Sequence, residues 1–278
     1  MKSKISSYNF LLTILESYFN IMTITRPTIL VTNDDGVISP GIRALVEVAS
    51  EFGDVVVVAP DSPQSGMGHA ITIENMLRLE RVEVFGDIPA YQCSGTPVDC
   101  VKIAIDKILK RKPDLCLSGI NHGSNSSINV IYSGTISAAM EAAIDGVKAI
   151  GFSLLDYSFE ADFSGARHYA RVIIKQMLDK GLPNGSLLNV NIPKLPIHEI
   201  KGIRICRQAI AKWEESYDER IDPRGGTYYW LTGKFVNEDN GEDTDEWALA
   251  NRYISVVPVQ YDLINQHGIR YLNKYWNV

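Results

Sequence analysis

The sequence has no CxxC pair, no block of like charge and no apolar run of membrane-spanning length. Each absence excludes a class. Four cysteines (Cys93, Cys100, Cys116, Cys206) without paired histidines do not make a zinc site, and they read as small buried residues in a reducing compartment. Lys and Arg number 27 against 33 Asp and Glu, a net charge of −6 spread along the chain, so no basic stripe exists for a nucleic-acid backbone. No stretch approaches the roughly 18 apolar residues that would span a bilayer. The GxGxxG fingerprint of dinucleotide folds and the GxxxxGK[ST] phosphate loop are both missing. Internal repeats and low-complexity segments are missing too. A soluble cytoplasmic protein without nucleic-acid or membrane partners is the expectation.

With 278 residues and 45% hydrophobic content, the chain can bury one sizeable core. Residues 1–26 stand apart from it. They open with two lysines, but the apolar run Phe10–Leu15 is interrupted at Glu16, lacks a small-residue cleavage site and falls short of the roughly 7–15 residues of a secretory signal. We read them as a poorly ordered or amphipathic extension, with Met22 placed as an alternative start. Residues 27–278 form the expected single α/β domain.

Within it, short β-branched runs alternate with helical spacing. Thr28–Thr32 and Asp54–Ala59 read as strands, the latter with Val55-Val56-Val57-Val58, typical of a parallel strand buried on both faces. Leu115–Ser118, Ala149–Leu154 and Leu187–Ile192 continue the series. Helices are predicted over 41–52, 98–109, 135–146 and 167–180, the second started by Thr96 as N-cap and Pro97 at the first position. This alternation implies right-handed crossovers and a Rossmann-like, mostly parallel sheet with helices on both faces. Residues 201–240 break the pattern with DPRGGTYYWLTG and no helical period. They read as an extended β-hairpin arm. An exposed Tyr228-Tyr229-Trp230 ribbon suits a partner subunit, giving a homodimer or homotetramer, and the alternative is a hairpin folded over its own core. Thr244–Val259 returns to a helix and a strand.

In an open parallel sheet, ligands bind beyond the carboxyl ends of the strands. Those positions hold Asn33-Asp34-Asp35-Gly36, then Asp61-Ser62-Pro63-Gln64-Ser65-Gly66, then Gly119-Ile120-Asn121-His122-Gly123-Ser124-Asn125. Carboxylate, hydroxyl and amide oxygens are hard donors that suit Mg²⁺, Mn²⁺ or Ca²⁺. Asp34 and Asp35 repel one another and have no adjacent cation in sequence, Arg43 being the nearest. Gly36 permits the bend that brings both to one ion. An Asx-rich turn capping the next helix accounts for the same residues. Ser133-Gly134-Thr135 precedes a helix and offers hydroxyls and free N–H groups at its positive end, an anion site or a plain N-cap. The two features together suggest metal-assisted hydrolysis of a phosphate ester.

TNDDG, VVAPDSPQSG, CSGTPVDCV, LSGINHGSN, VIYSGTISAAMEA and DTDEWALANRYISVVPV follow in that order. They resemble the motifs of the SurE, or stationary-phase survival, family, over roughly 28–260. The resemblance implies a Rossmann-like core with a subunit-exchanging arm, and a 5′-nucleotidase hydrolysing nucleoside 5′-monophosphates, with broader phosphomonoester or exopolyphosphate activity as an extension. It implies one divalent ion per subunit, Mg²⁺ or Mn²⁺, on Asp34, Asp35, Ser65 and Asn121, and places Asn125, Ser133, Gly134 and Thr135 around the substrate phosphate. Two features depart from the family pattern: Ser62-Pro63-Gln64 stands where charged residues are often found, and the N-terminal segment is added. His122 reads as a variable loop residue. Asp34 is the expected catalytic residue, holding the ion or also handling the proton of water. A covalent aspartyl-phosphate route of the haloacid-dehalogenase type is the chemical alternative, although those enzymes space their aspartates as Asp-x-Asp. A nucleotide-binding module without turnover is the functional alternative.

Overall fold

The computed structural model describes residues 26–276. The expected N-terminal extension lies outside the described residues, Arg26 excepted. Nine strands form the main sheet in the order β3-β4-β2-β1-β5-β6-β7-β11-β8. Their spans are β1 Thr28–Thr32, β2 Asp54–Pro60, β3 Leu79–Val82, β4 Ala90–Cys93, β5 Leu115–His122, β6 Lys148–Leu154, β7 Ser186–Ile192, β8 Ile203–Ile205 and β11 Ile254–Gln260. Strands β4, β2, β1, β5, β6 and β7 run parallel; β3 is antiparallel to β4, and β11 to β7.

Period-2 alternation explains why the central strands are apolar throughout. In β1, Ile29 and Val31 enter one core while Leu30 enters the other, and Leu115 and Leu117 of β5 likewise oppose Cys116. Helices α1 (Pro40–Ala49) and α4 (Ser164–Lys180) cover the first core; α2 (Pro97–Ile103), its π-helical continuation Ala104–Leu109, and α3 (Gly134–Ile144) cover the second. Thr96 caps α2 with Asp99 answering in a capping box and Pro97 at the first position, as its sequence predicts. The predicted single helix over 98–109 therefore changes its hydrogen-bond period at Ala104.

The chain crosses from β1 to β2 on one side and returns to β5 on the other. This switch point between adjacent parallel strands opens a crevice at the carboxyl ends of β1 and β5.

Of the segment 201–240, Ile203–Ile205 belongs to the main sheet, paired with β11. The ribbon itself is β9 (Ala211–Ile221) against β10 (Thr227–Asn237), a separate two-stranded sheet. Tyr229 and Trp230 are each 58% exposed, so this hairpin does not fold over its own core. Helix α5 (Asp245–Ala250) precedes β11, and α6 (Gln266–Tyr275) ends the described chain. No helix among the described residues is long and apolar enough to cross a membrane. The four cysteines are buried free thiols.

Candidate active site

Strand β1 ends at Thr32, and the next residues turn sharply. Asn33 Nδ2 donates to the Gly36 carbonyl at 2.9 Å and to Ser39 Oγ at 2.8 Å, which makes the turn that presents Asp34 and Asp35. Gly36 sits at φ +96°, a conformation that L side chains rarely adopt. The following helix leans on β5 so closely that a Cβ at Gly41 would stand 1.9 Å from the Ile120 carbonyl oxygen. Gly41 thus sets the separation between the aspartate turn and Asn121.

Asp34 is buried, and its Oδ1 accepts from the Thr135 hydroxyl. Burial, followed by the charge of Asp35, raises its pKa to about 6 against the pull of Thr135. Asp35 is also raised, chiefly by desolvation, and accepts from the His122 backbone N–H at 3.2 Å. Arg43, the nearest cation in sequence, turns away: it donates to the Val84 carbonyl at 3.1 Å and lies over the Phe85 ring. The two carboxylates therefore face the crevice with no cation partner among the described residues.

Asn121 is the penultimate residue of β5 and not a loop residue; it pairs with Ser153 after a register shift at Ser118. Its Nδ2 donates to the Gly123 carbonyl at 3.0 Å, which leaves Oδ1 as its free acceptor. Ser65 lies in an irregular loop pinned at several points. Gln64 N donates to the Asp34 carbonyl at 2.8 Å, Gly68 N to the Tyr132 carbonyl at 3.1 Å, and Thr72 N and Oγ1 to the buried Asp99. His69 and Lys102 meet Glu141 of α3 at 2.9 and 2.7 Å. Hydrogen bonding from His69 leads the causes that hold the Glu141 carboxyl below its ordinary range. The Ser65 hydroxyl is exposed and has no partner among the described residues.

These residues fit a hard divalent cation. Two unneutralised carboxylates, a free amide oxygen and an exposed hydroxyl follow or lie near the ends of three neighbouring strands, and all are oxygen donors. Among the described residues no group of three or more His, Cys, Asp or Glu side chains could hold a metal. An ion here would rest on two carboxylates and neutral oxygens.

Opposite stands the amino end of α3. Ser133 acts as N-cap, accepting from Ile136 N at 3.0 Å, so its hydroxyl serves the helix. Thr135 spends its hydroxyl on Asp34. Gly134 approaches so closely that a Cβ there would lie 2.8 Å from Asp34 Cβ and 3.0 Å from its Oδ2. What remains for an anion is the helix end itself, with the Gly134 N–H. Asn125 is buried and held on three sides: it receives Asn189 Nδ2 on its carbonyl at 2.7 Å, donates its N–H to Asn191 Oδ1 at 2.8 Å and its Nδ2 to Ser153 Oγ at 2.8 Å.

The survival protein SurE family model matches residues 29–215. The chain belongs to the SurE family. A 5′-nucleotidase SurE of Christiangramia forsetii is 64% identical over 252 residues, covering 90% of this chain and 97% of that protein. Another, of Flavobacterium johnsoniae, is 64% identical over 249 residues, covering 89% and 96%. The crystal structure of the SurE protein from Aquifex aeolicus superposes with a TM-score of 0.76 at 41% identity, over 89% of this chain and all of that one.

Sequence reasoning about this SurE chain missed three features of the crevice. The Thr135–Asp34 bond joins residues 101 positions apart. The close approaches at Gly41 and Gly134 left one signal, a glycine in the first turn of a helix, where it costs helix propensity. His122 is not simply a loop residue: its N–H holds Asp35, while both ring nitrogens are buried without a hydrogen-bond partner between the rings of Phe159 and Phe163.

Proposed function

We propose that the chain is a metal-dependent 5′-nucleotidase, releasing phosphate from nucleoside 5′-monophosphates. The observation that carries this is the adjacent Asp34–Asp35 pair, the first buried and the second half-buried, without a cation partner among the described residues, facing the amino end of α3 across the switch-point crevice. Relatives at 64% identity named 5′-nucleotidase support the substrate class.

In this reading Asp34, Asp35, Asn121 and Ser65 hold one Mg²⁺ or Mn²⁺ per subunit. Such an ion, when bound, acts as a Lewis acid on the phosphate and lowers the pKa of water. The amino end of α3 and Gly134 bind the other phosphoryl oxygens and stabilise charge as it redistributes. Thr135 fixes the Asp34 carboxylate through Oδ1, leaving Oδ2 to orient the attacking water. Asn125 is the positioning residue for the phosphate-side loop. A carboxylate held this way is a rigid ligand, which favours direct attack by water over an aspartyl-phosphate intermediate.

The metal-loaded chain is expected to release inorganic phosphate from AMP and GMP, and EDTA is expected to abolish the release. Saturable nucleotide binding without release in either metal would replace the enzyme by a binding module.

The same reading makes the exposed β9–β10 ribbon the contact to a second copy, which light scattering would register as a mass of at least two chains. A cytoplasmic location belongs to the proposal as well, on the strength of the four free thiols.

A further inference from the structure

Residues 61–78, between β2 and β3, contain no strand or helix. That connection exceeds the roughly 12–15 residues beyond which unstructured loops in compact domains become uncommon. It carries Ser65. Gly68 is its only buried residue, while Ile73 and Met76 are 80% and 77% exposed. Apolar burial therefore does little to offset the entropy of ordering this loop, and its path is set by individual polar bonds.

Those bonds are few around Ser65. On its amino side, Gln64 N donates to the Asp34 carbonyl at 2.8 Å. On its carboxyl side, Gly68 N donates to the Tyr132 carbonyl at 3.1 Å, and His69 Nε2 donates to Glu141 Oε2 at 2.9 Å. The next fasteners lie further on and belong to the cap of α2: the Thr96 hydroxyl donates to the Ala70 carbonyl at 2.7 Å, and Thr72 donates to Asp99. Among the described residues from Ser65 to Ile71, His69 alone is fastened by its side chain.

Glu141 is placed to receive it. The carboxylate is buried on α3, and each oxygen has its own partner: Oε2 takes His69, and Oε1 takes Lys102 Nζ of α2 at 2.7 Å. Lys102 stays on Oε1 when His69 is replaced, so the buried charge keeps a partner and the fold is not forced open.

The helix that receives His69 is also the one that fixes Asp34. Thr135, in the first turn of α3, donates to Asp34 Oδ1, and Glu141 stands further along the same helix. The aspartate and the loop of Ser65 are thus both tied to one rigid element, by bonds between residues 101 and 72 positions apart. A cation shared by Asp34 and Ser65 needs their oxygens at a set separation, and a ligand without an orienting partner binds more weakly.

We infer that His69 is a positioning residue for Ser65, fastening its loop to α3 through Glu141 and so fixing where the hydroxyl stands relative to Asp34. The inference rests on the proposed cation site and adds to it a residue that touches neither ion nor substrate.

The test is a double-substitution cycle, read by calorimetric titration of Mn²⁺ into the EDTA-stripped full chain, with metal-free melting temperatures measured alongside. His69→Ala is expected to weaken Mn²⁺ binding about tenfold, the low end of the roughly 10–100-fold that loss of a ligand's orienting partner costs. His69→Gln, whose amide still has a donor for Glu141, is expected to recover most of that loss. Ser65→Ala is expected to weaken binding as well. Adding His69→Ala to it should cost nothing further, because residues that act through one contact are not additive. An unchanged Mn²⁺ affinity in His69→Ala, even with a lowered melting temperature, overturns the inference and leaves the cation site standing. So does a loss as large in the Ser65→Ala background as in the parent chain. Failure of the parent chain to bind Mn²⁺, or parent-like affinity in Ser65→Ala, removes the site as assigned and the inference with it.

Discussion

Asp34→Asn is expected to lower the turnover of nucleoside monophosphates by at least about a thousandfold while the fold stays intact, since losing even one charged or oriented transition-state contact costs roughly 10²–10³. The same substitution is expected to stabilise the metal-free protein. Asp34 has a folded pKa of about 6 against an ordinary 3.8, because burial and Asp35 disfavour its charge. The folded chain thus holds this proton through the window from about 4 to about 6, while the unfolded chain loses it. Stability contributed by the protonated group is present below the lower value, is lost as pH rises through the window, and is gone above it. At pH 7.5 the buried charge costs on the order of 3 kcal/mol, at about 1.36 kcal/mol per pKa unit. Asparagine has no charge to bury, so its metal-free melting temperature should exceed that of the parent chain at pH 7.5 and match it near pH 4. Added Mn²⁺ reverses the order. A ligand at a thousand times its Kd stabilises by about 4.1 kcal/mol, and only the parent chain should gain it. Turnover surviving in Asp34→Asn, or an equal Mn²⁺-induced shift in both proteins, would remove Asp34 from the site.

Gly41→Ala is the second large effect. The added methyl would lie 1.9 Å from the Ile120 carbonyl oxygen and 3.0 Å from its carbon, both backbone atoms in the strand that carries Asn121. No rotamer change relieves a backbone clash, so α1 and β5 must move apart. A cost of about 3 kcal/mol is expected, the upper part of the usual range for overpacking. The movement separates the Asp34–Asp35 turn from Asn121, so Mn²⁺ affinity should fall as well. Urea midpoints and calorimetric titration read the two effects. An unchanged midpoint would mean that the helix and strand are not in the contact described.

How far the sequence carried this account depended on the range of the interaction. Val55–Val58 named a strand buried on both faces, and Thr96-Pro97 marked the start of a helix, because both signals are local. Strands β3 and β4 were missed. Each has four residues, and β3 is largely exposed, so neither shows a usable period. The end of β5 was misread because Gly119, Asn121 and His122 are loop formers by composition. They stay in the sheet through pairing to Ser153 and Leu154 of β6. Helix α6 has no buried residue among those described and was not foreseen. In the site, the oxygen-rich strand ends were legible because the α/β pattern fixes where ligands bind. The way Thr135 serves Asp34, and the way Gly41 and Gly134 set distances, were not legible. They are contacts between elements that only the packed sheet brings together.

The central claim is that Asp34, Asp35, Ser65 and Asn121 share one divalent cation. A crystal of the Mn²⁺-loaded chain, measured across the manganese absorption edge, tests it most directly. The account predicts a single strong anomalous peak per chain in the crevice between β1 and β5, within about 2.0–2.6 Å of oxygens from both aspartates, as hard-cation coordination requires. Full phosphatase activity in a chain whose only peak lies elsewhere would contradict it.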